Sequence, residues 1–316
     1  MKTLLIIDLQ NDFLPSGPLG VNNGNELVPI INELLPHYEH VVATQDWHPI
    51  DHGSFAANHP NRVVGEQIEL AGLPQILWPT HCVQGTDGAK LPLELDTHRI
   101  DTVFRKGTKC EVDSYSGFHD NGHRHSTGLA DYLRKKEVTE LHVCGIATDY
   151  CVKFSVLDAL LEGFTTILLS DACRGVELTP GDIQTALLEM KTAGAAIRKT
   201  DDILPEEITL YRPIGSNELT KLENLKFQKW PARLPDQPIF YPVTNEAYAR
   251  QITEEWNVPS SGEGFVTKFQ LPRSFLKEFP RKIVGGQKHE EWWIPAERLE
   301  ELNQQLIGTI ELLPNS

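Results

Sequence analysis

The sequence lacks the features of several protein classes. No apolar run approaches the roughly 18–20 residues that a membrane span needs, and Asp8 interrupts the short apolar stretch near the start, which argues against a signal peptide. The five cysteines are scattered, odd in number and without a CxxC pair, so a disulfide framework is not indicated. Basic residues number 29 against 44 acidic ones, a net charge of −15, which argues against nucleic acid or an anionic membrane as partner. We therefore expect a cytoplasmic protein.

What the sequence does contain, up to about residue 200, is an alternation of strand-like and helix-like runs. The strand-like runs are 3–9, 40–46, 101–107, 140–147, 165–173 and 195–200. The helix-like runs are 25–35, 126–138, where Ser126 suits an N-cap, 151–163, which Gly163 closes, and 179–194. Short apolar strands that alternate with helices predict an α/β fold with a parallel sheet covered on both faces.

The pattern changes near residue 205. Segment 210–243 is rich in proline and polar residues and shows no β–α alternation. Beyond it we predict helices over 245–257 and 295–308 and strands over 264–272, 281–286, 290–295 and 309–313. Because four of the six tryptophans lie in this part, we predict two domains, 1–204 and 205–316, the second a small α+β domain with its own aromatic core.

Polar or reactive residues follow four of the predicted strands. Asp8 follows the first, Asp46 and His48 the second, Lys106 the third, and the turn from Thr148 to Cys151 the fourth. In open α/β sheets, ligands bind beyond the carboxyl ends of the strands. Four such strand ends together predict an active site at one edge of the sheet.

Cys151 is the predicted nucleophile of this site. At the first turn of a helix, free backbone N–H groups and a nearby cation such as Lys106 would favour its thiolate, while Asp8 could take and return the proton. Taken alone, each residue also fits a structural role. Cys151 could be a small buried cysteine, Asp8 a loop cap and Lys106 a surface charge. Their convergence at neighbouring strand ends favours catalysis.

A second group of residues predicts a metal site. Asp46 and His48 point the same way on an extended segment, and His81 comes from a later loop. One carboxylate and two imidazoles suit a divalent ion, with Zn²⁺ favoured and Fe²⁺ or Mn²⁺ as alternatives. His52 could be a fourth ligand or a group behind the ligands, and His59 is interpreted as structural. Solvated or hydrogen-bonded loop histidines are the alternative interpretation.

The motifs now resemble a known family. "DLQNDF", "QDWHP", "HGSFA", "WPTHCVQGT", "DSYSGF" and "GIATDYCVKF" follow one another as in the nicotinamidases of the isochorismatase-like cysteine hydrolases, over roughly residues 2–200. The resemblance implies a parallel sheet flanked by helices, the catalytic triad Asp8, Lys106 and Cys151, and a metal held by Asp46, His48 and His81. The metal motif separates nicotinamidases from relatives that keep only the triad.

The resemblance also implies a substrate pocket and a reaction. Phe13, Trp78, Tyr115 and Tyr150 would line the pocket, and a cis peptide is expected between Ile146 and Ala147. The N–H groups of Ala147 and Cys151 would form the oxyanion hole. The implied substrate is nicotinamide, which would be hydrolysed through a thioester to nicotinate and ammonia in NAD salvage. The chain could form a homo-oligomer.

Two alternatives remain open on the sequence. The chain could be an amidase of the same superfamily that acts on another small amide, or a non-catalytic protein that binds metal or nicotinamide and acts through its C-terminal domain. That domain resembles short bacterial proteins with an ADP-ribosylation-type label, through "RPIG", "PARLPDQPIFYPV" and "HEEWWIPAERLEELN". A packing or oligomerisation role is its structural alternative.

Overall fold

A computed structural model of the chain describes residues 1–234, 236–284 and 289–314. The chain divides into two compact units, Met1–Leu204 and Pro205–Ser316. Among the described residues, no helix is long and apolar enough to cross a bilayer.

The first unit is built on a six-stranded parallel sheet with the strand order β5-β2-β1-β6-β7-β8. These strands are β1 (Lys2–Ile7), β2 (His40–Asp46), β5 (Thr102–Lys106), β6 (Glu140–Ile146), β7 (Thr165–Arg174) and β8 (Ala196–Arg198). The flanking helices are α1 (Leu27–Leu34), α2 (Leu129–Lys135), α3 (Lys153–Leu161) and α4 (Asp182–Thr192). The predicted α/β class and parallel sheet are confirmed.

Burial on both faces explains why the central strands are almost continuously apolar. In β1 every residue from Thr3 to Ile7 is inaccessible to solvent, and β6 is buried from Leu141 onward. Helices cover a parallel sheet on both sides, so an alternating polar face would be buried without partners. These strands form one core with α1 and α3.

A short hairpin outside the main sheet was not predicted. It consists of β3 (Gln67–Leu70) and β4 (Leu73–Ile76), joined by Ala71 and Gly72, which both have positive φ. Tight hairpin turns are usually marked by an Asn-Gly or Asp-Gly pair, and alanine rarely adopts positive φ. The Ala-Gly pair therefore gives no sequence signal of this turn. The hairpin leads into Trp78, one of the predicted pocket residues.

Two predicted helix starts are wrong. The helix predicted from Ser126 begins only at Leu129, because the Ser126 hydroxyl accepts a hydrogen bond from the Gly128 N–H group in the turn before the helix. The helix predicted from Cys151 is preceded by a π-helical turn, Thr148–Val152, which contains Cys151 itself. Gly163 follows α3 with φ +88°, as a C-terminal glycine should.

The second unit contains an antiparallel sheet with the strand order β15-β11-β9. Its strands, including two short pairs, are β9 (Glu207–Gly215), β10 (Ile239–Phe240), β11 (Gly264–Pro272), β12 (Arg281–Ile283), β13 (Glu290–Trp292), β14 (Ile294–Pro295) and β15 (Ile307–Leu312). The helices are α5 (Ser216–Asn224), α6 (Glu246–Ile252), α7 (Val258–Ser261), α8 (Arg273–Leu276) and α9 (Leu299–Gln305). The last two residues of the predicted strand 281–286 lie outside the described residues.

The interpretation of segment 210–243 as irregular is wrong in its first part. Residues Glu207–Gly215 form β9, and α5 follows directly. Pro213 weakens the strand pattern, but β9 lies at an edge of its sheet, where a missing N–H donor is tolerated. Of the tryptophans counted toward the aromatic core, Trp230 and Trp292 are buried, whereas Trp256 is 70% exposed.

Candidate active site

The carboxyl ends of four adjacent strands place the predicted reactive residues together. Asp8 directly follows β1, Asp46 and Lys106 are the last residues of β2 and β5, and Cys151 lies in the turn after β6. All four are at most 7% exposed. An oxygen of each carboxylate and Cys151 Sγ lie within 4.8 Å of one another.

Lys106 lies at the centre of this group. Its Nζ is 2.8 Å from Asp8 Oδ2, 2.6 Å from Asp46 Oδ1 and 3.4 Å from Cys151 Sγ. It also donates a hydrogen bond of 2.8 Å to the Ser114 carbonyl. Burial by itself would lower the pKa of Lys106, but the two carboxylates outweigh burial and raise this pKa well above its usual value. The lysine is therefore a permanent cation between two acids and a thiol.

Asp8 is a buried acid with an unusual ionisation. Burial raises its pKa to about 6, with Lys106 opposing the increase and Asp46 adding to it. The Thr44 hydroxyl donates a 2.7 Å hydrogen bond to Oδ1 and also lowers this pKa. Its backbone adopts φ +45°, which turns the chain out of β1. A carboxyl group that titrates near neutrality is suited to accepting and returning a proton.

The Cys151 thiol is not the activated thiolate that a helix N-terminus predicts. Burial raises its pKa well above the usual value; Lys106 acts to lower this pKa, while Asp8 and Asp46 raise it further. The reason is that the residue lies inside a buried π-helical turn, next to two carboxylates. The resting thiol is therefore protonated, and its activation requires a base.

Asp46, His48 and His81 form a second group that shares Asp46 with the first. Nε2 of His48 lies 3.6 Å, and Nε2 of His81 3.9 Å, from Asp46 Oδ2. The other ring nitrogens, Nδ1, donate to the carbonyl groups of Gly107 at 2.8 Å and Pro79 at 2.7 Å. These bonds aim each Nε2 at the carboxylate, and in a neutral imidazole they leave the Nε2 lone pair available to a metal ion.

The charges of this group also fit a divalent cation. Burial raises the pKa of Asp46, but Lys106 and then His48 outweigh it, and the net pKa is lowered. Asp46 in turn outweighs burial at His48 and raises the pKa of this imidazole, so this part of the site favours a positive charge. Burial and the neighbouring His48 lower the pKa of His81 to about 4, so this imidazole is neutral and available as a ligand at neutral pH. A buried carboxylate with two oriented imidazoles is a donor set for a borderline divalent ion.

Gly107 permits the His48 orientation. Its φ is +61°, and a Cβ atom on this residue would lie 2.3 Å from His48 Cε1. A side chain here would displace the imidazole that Gly107 holds through its carbonyl. The glycine is therefore part of the site, although it contributes no side chain.

His52 lies near this group but faces a different carboxylate. Its ring centroid is 4.3 Å from that of His48, and it groups with His48 and Asp113. The Ser54 N–H group donates to His52 Nδ1, which places the ring proton on Nε2. His59 Nε2 lies 2.7 Å from the Gly53 carbonyl, in agreement with a structural role.

A cavity opens onto both groups. The four predicted pocket residues, Phe13, Trp78, Tyr115 and Tyr150, line it together with Ala147 and Cys151. The cavity is small and walled by aromatic rings, which suits a small flat molecule rather than a peptide. The Trp78 and Tyr150 rings meet edge to face at 4.9 Å. The peptide between Ile146 and Ala147 is cis, as the resemblance implied.

Several residues of the site were missed or only partly seen in the sequence. Asp113 lines the cavity and accepts a hydrogen bond from Gln75, and Tyr115 Oη accepts from both Gln75 and Trp78 at 3.1 Å. Gln10 holds the backbone of Asp46 through its side-chain amide. Thr44 could have been found, because its position two residues before Asp46 puts both side chains on one face of β2.

Comparisons with known proteins agree with this geometry. A family model described as the isochorismatase domain matches residues 2–202. The nicotinamidase of Escherichia coli (strain K12) is 48% identical over 200 residues, which cover 62% of this chain and 93% of that protein.

Solved structures show the same similarity. An Acinetobacter baumanii nicotinamidase and pyrazinamidase matches with a TM-score of 0.63 and 41% identity, over 64% of this chain and 98% of that one. Yeast nicotinamidase bound to the inhibitor nicotinaldehyde matches with a TM-score of 0.60 and 33% identity, over 63% and 100%. The Pyrococcus horikoshii pyrazinamidase in complex with zinc matches with a TM-score of 0.50 and 35% identity, over 63% and 98%.

Proposed function

This chain belongs to the isochorismatase family, and we propose that it is a metal-dependent nicotinamidase that hydrolyses nicotinamide to nicotinate and ammonia in NAD salvage. The observation that carries the proposal is the contact of Lys106 with both acids and the cysteine beside an aromatic cavity that Asp46 and Cys151 line. The names of the relatives support the substrate. In the proposal, Asp8, Lys106 and Cys151 are catalytic.

The first step is activation of the nucleophile. Asp8, ionised at neutral pH, accepts the proton of the Cys151 thiol, and Lys106 stabilises the thiolate. The sulfur attacks the carboxamide carbon, and the carbonyl oxygen becomes an oxyanion. Ala147 and Cys151 both line the cavity, and their N–H groups are the proposed donors to this oxyanion.

The remaining steps return the proton and release the products. Protonated Asp8 donates its proton to the amide nitrogen, the C–N bond breaks, and ammonia departs. A thioester remains on Cys151. Asp8 then accepts a proton from water, which attacks the thioester carbon. Protonated Asp8 returns its proton to the sulfur as the thioester's C–S bond breaks, and the acid product departs and ionises to nicotinate. The overall reaction converts one amide and one water into one carboxylic acid and one ammonia.

Asp46, His48 and His81 are the proposed ligands of a divalent ion, for which Zn²⁺ is favoured. When bound, this ion would supply a Lewis-acidic position for the pyridine nitrogen of the substrate. Phe13, Trp78, Tyr115 and Tyr150 would enclose the flat ring and exclude water from it.

Ammonia release from nicotinamide tests the proposal directly. Wild type, Cys151→Ala and Cys110→Ala should be assayed together, with bound metal measured in each sample. Cys110 is a free cysteine outside the cavity, so it controls for the general loss of a thiol. We expect activity to be lost only in Cys151→Ala. Full activity of this variant would refute the covalent route.

A parallel assay separates substrate from mechanism. If metal-replete wild type releases ammonia from pyrazinamide or another small amide and not from nicotinamide, the substrate assignment fails while the cysteine mechanism stands. Release from none of these amides would overturn the enzymatic proposal for this unit.

A further inference from the structure

A cluster of two histidines and two acids lies outside the cavity. His119 and His123 belong to the loop before α2, and Asp158 and Glu162 lie on α3 and at its end. One potential ligand atom of each of His119, His123 and Asp158 lies within 4.8 Å of the other two. None of these residues lines the active-site cavity.

The polar atoms of this cluster lie within ion-pair distance of one another but make no hydrogen bonds to one another. His119 Nδ1 is 3.6 Å from Asp158 Oδ2, and His123 Nε2 is 3.5 Å from Asp158 Oδ1. Both distances exceed the usual hydrogen-bond range of about 2.7–3.2 Å. His119 Nδ1 and Asp158 Oδ2 are buried, and neither has a hydrogen-bond partner in the part of the chain that the structure describes.

An unpartnered buried carboxylate oxygen is costly. The Asp158 side chain is only 8% exposed, so water cannot fully solvate it. Tetrahedral ligands bound to Zn²⁺ at about 2.1 Å lie about 3.4 Å apart, close to the separations between Asp158 and the two histidines. The gap between these atoms therefore has the size that a coordinated ion requires.

The spacing of this cluster matches that of the proposed metal ligands in the active site. The ring centroids of His48 and His81 are 5.0 Å apart, as are those of His119 and His123. The separation of 3.6 Å between His119 and Asp158 equals that between His48 and Asp46. Two unrelated segments of the chain thus show the same spacing of imidazoles about a buried carboxylate.

The second nitrogen of His119 is also accounted for. His119 Nε2 lies 3.5 Å from Glu162 Oε1, and Glu162 is fixed by an ion pair with Arg134. At this distance the two groups make no hydrogen bond, but the negative charge of Glu162 favours the ring proton on Nε2 and leaves the Nδ1 lone pair free, as in many histidine metal sites. His119 Nδ1 would thereby be directed at the ion.

We propose that His119, His123 and Asp158 form a second metal site, which takes a borderline divalent ion of the Zn²⁺ class. Mixed imidazole and carboxylate ligands favour Zn²⁺ over Mg²⁺ or Ca²⁺, which prefer oxygen. His123 is 56% exposed and gives the ion a path from solvent. The ion would link the loop that follows Tyr115 to the helix that follows Cys151. This proposal does not rest on the proposed function.

Zinc titration of chelator-stripped, full-length protein tests the site. His123→Gln removes an exposed ligand with little risk to folding, and His125→Gln is its matched control. His125 lies on the same loop with the same 56% exposure but pairs with Asp120 instead. We expect His123→Gln to bind one Zn²⁺ fewer per chain than wild type, and His125→Gln to bind as many as wild type.

Two further variants keep the outcome decisive. Asp158→Asn should also lose one ion, and His48→Gln should lose a different one, so that His48→Gln combined with His123→Gln loses both. Equal zinc uptake by His123→Gln and wild type would overturn the proposal, as would complete loss of zinc in His48→Gln alone. Failure of the nicotinamidase assay would leave these measurements unaffected.

Discussion

Lys106 Nζ lies 2.6 Å from Asp46 Oδ1, so one ammonium group joins the proposed catalytic triad to the proposed metal ligands. The same nitrogen contacts Asp8 at 2.8 Å. Activation of the Cys151 thiol and binding of a metal should therefore both depend on the buried positive charge of Lys106. Changes at this residue should affect stability and catalysis together.

Lys106→Met tests this shared charge. The variant leaves two buried carboxylates without their cation, so the free energy of unfolding should fall by roughly 3–5 kcal/mol. Turnover of nicotinamide should fall by about 10²–10⁴-fold, because neither the thiolate nor the base remains stabilised. Denaturant unfolding and ammonia release measure the two effects. The control is Lys90→Met, at an exposed ion pair with Asp87, which should change neither stability nor turnover. Near-normal turnover in Lys106→Met would refute the catalytic role of Lys106.

The pH dependence of turnover should report Asp8. Since Asp8 must be ionised to accept the thiol proton and its pKa is about 6, kcat/KM should rise with pH, reach half its maximum near pH 6 and level off about one pH unit higher. Thr44→Val removes the hydrogen bond that stabilises the ionised form, so this acid limb should move to higher pH.

Thr3→Val is the matched control for Thr44→Val. Thr3 is a buried threonine of β1 whose hydroxyl has no hydrogen-bond partner among the residues described. It should leave the acid limb in place. An unchanged limb in Thr44→Val would show that another group controls it.

Gly107→Ala should weaken metal binding through His48. The new Cβ would overlap the imidazole, and φ +61° adds a backbone cost of about 1–2 kcal/mol. Gly65→Ala carries a similar cost at φ +89° but meets no atom within 4 Å. Metal content and activity should fall in Gly107→Ala and persist in Gly65→Ala. Equal metal content in the two variants would contradict the role of Gly107.

We further propose that the two compact units are separate domains, with boundaries at 1–204 and 205–316. The core of the first unit ends at Leu204, and that of the second begins at Ile208, with no described residue in common. Residues 1–204 alone should release ammonia at a rate within about twofold of the full chain. Cooperative unfolding of the fragment is the control for folding, and an inactive folded fragment would show that the second unit is needed.

Much of the first unit was predictable because local pattern and tertiary role agree there. β2 was predicted with its observed bounds, His40–Asp46, and β6 to within one residue, since both are apolar strands buried on two faces. The starts of α2 and of the turn before α3 were missed. Hydrogen bonds of Ser126, and the π-helical path through Cys151, set these starts, and neither follows from periodicity.

The structure of the second unit was harder to predict from the sequence for a related reason. β9 contains Pro213 and polar residues, and it is stabilised as an edge strand by pairing with β11, which lies about 50–65 residues later. Trp256 resembles a core residue in the sequence but is largely exposed. Partners far along the chain, rather than local composition, decide the structure here.

The sequence by itself determined the strand and helix alternation, and with it the placement of Asp8, Asp46, Lys106 and Cys151 at strand ends. Only the tertiary structure decided their electrostatics. The sequence predicted an activated thiolate, whereas burial beside two carboxylates keeps the thiol protonated and brings the pKa of Asp8 to about 6. The physical reason is that the order of residues fixes which groups meet, while desolvation and distance fix which of them carries the charge.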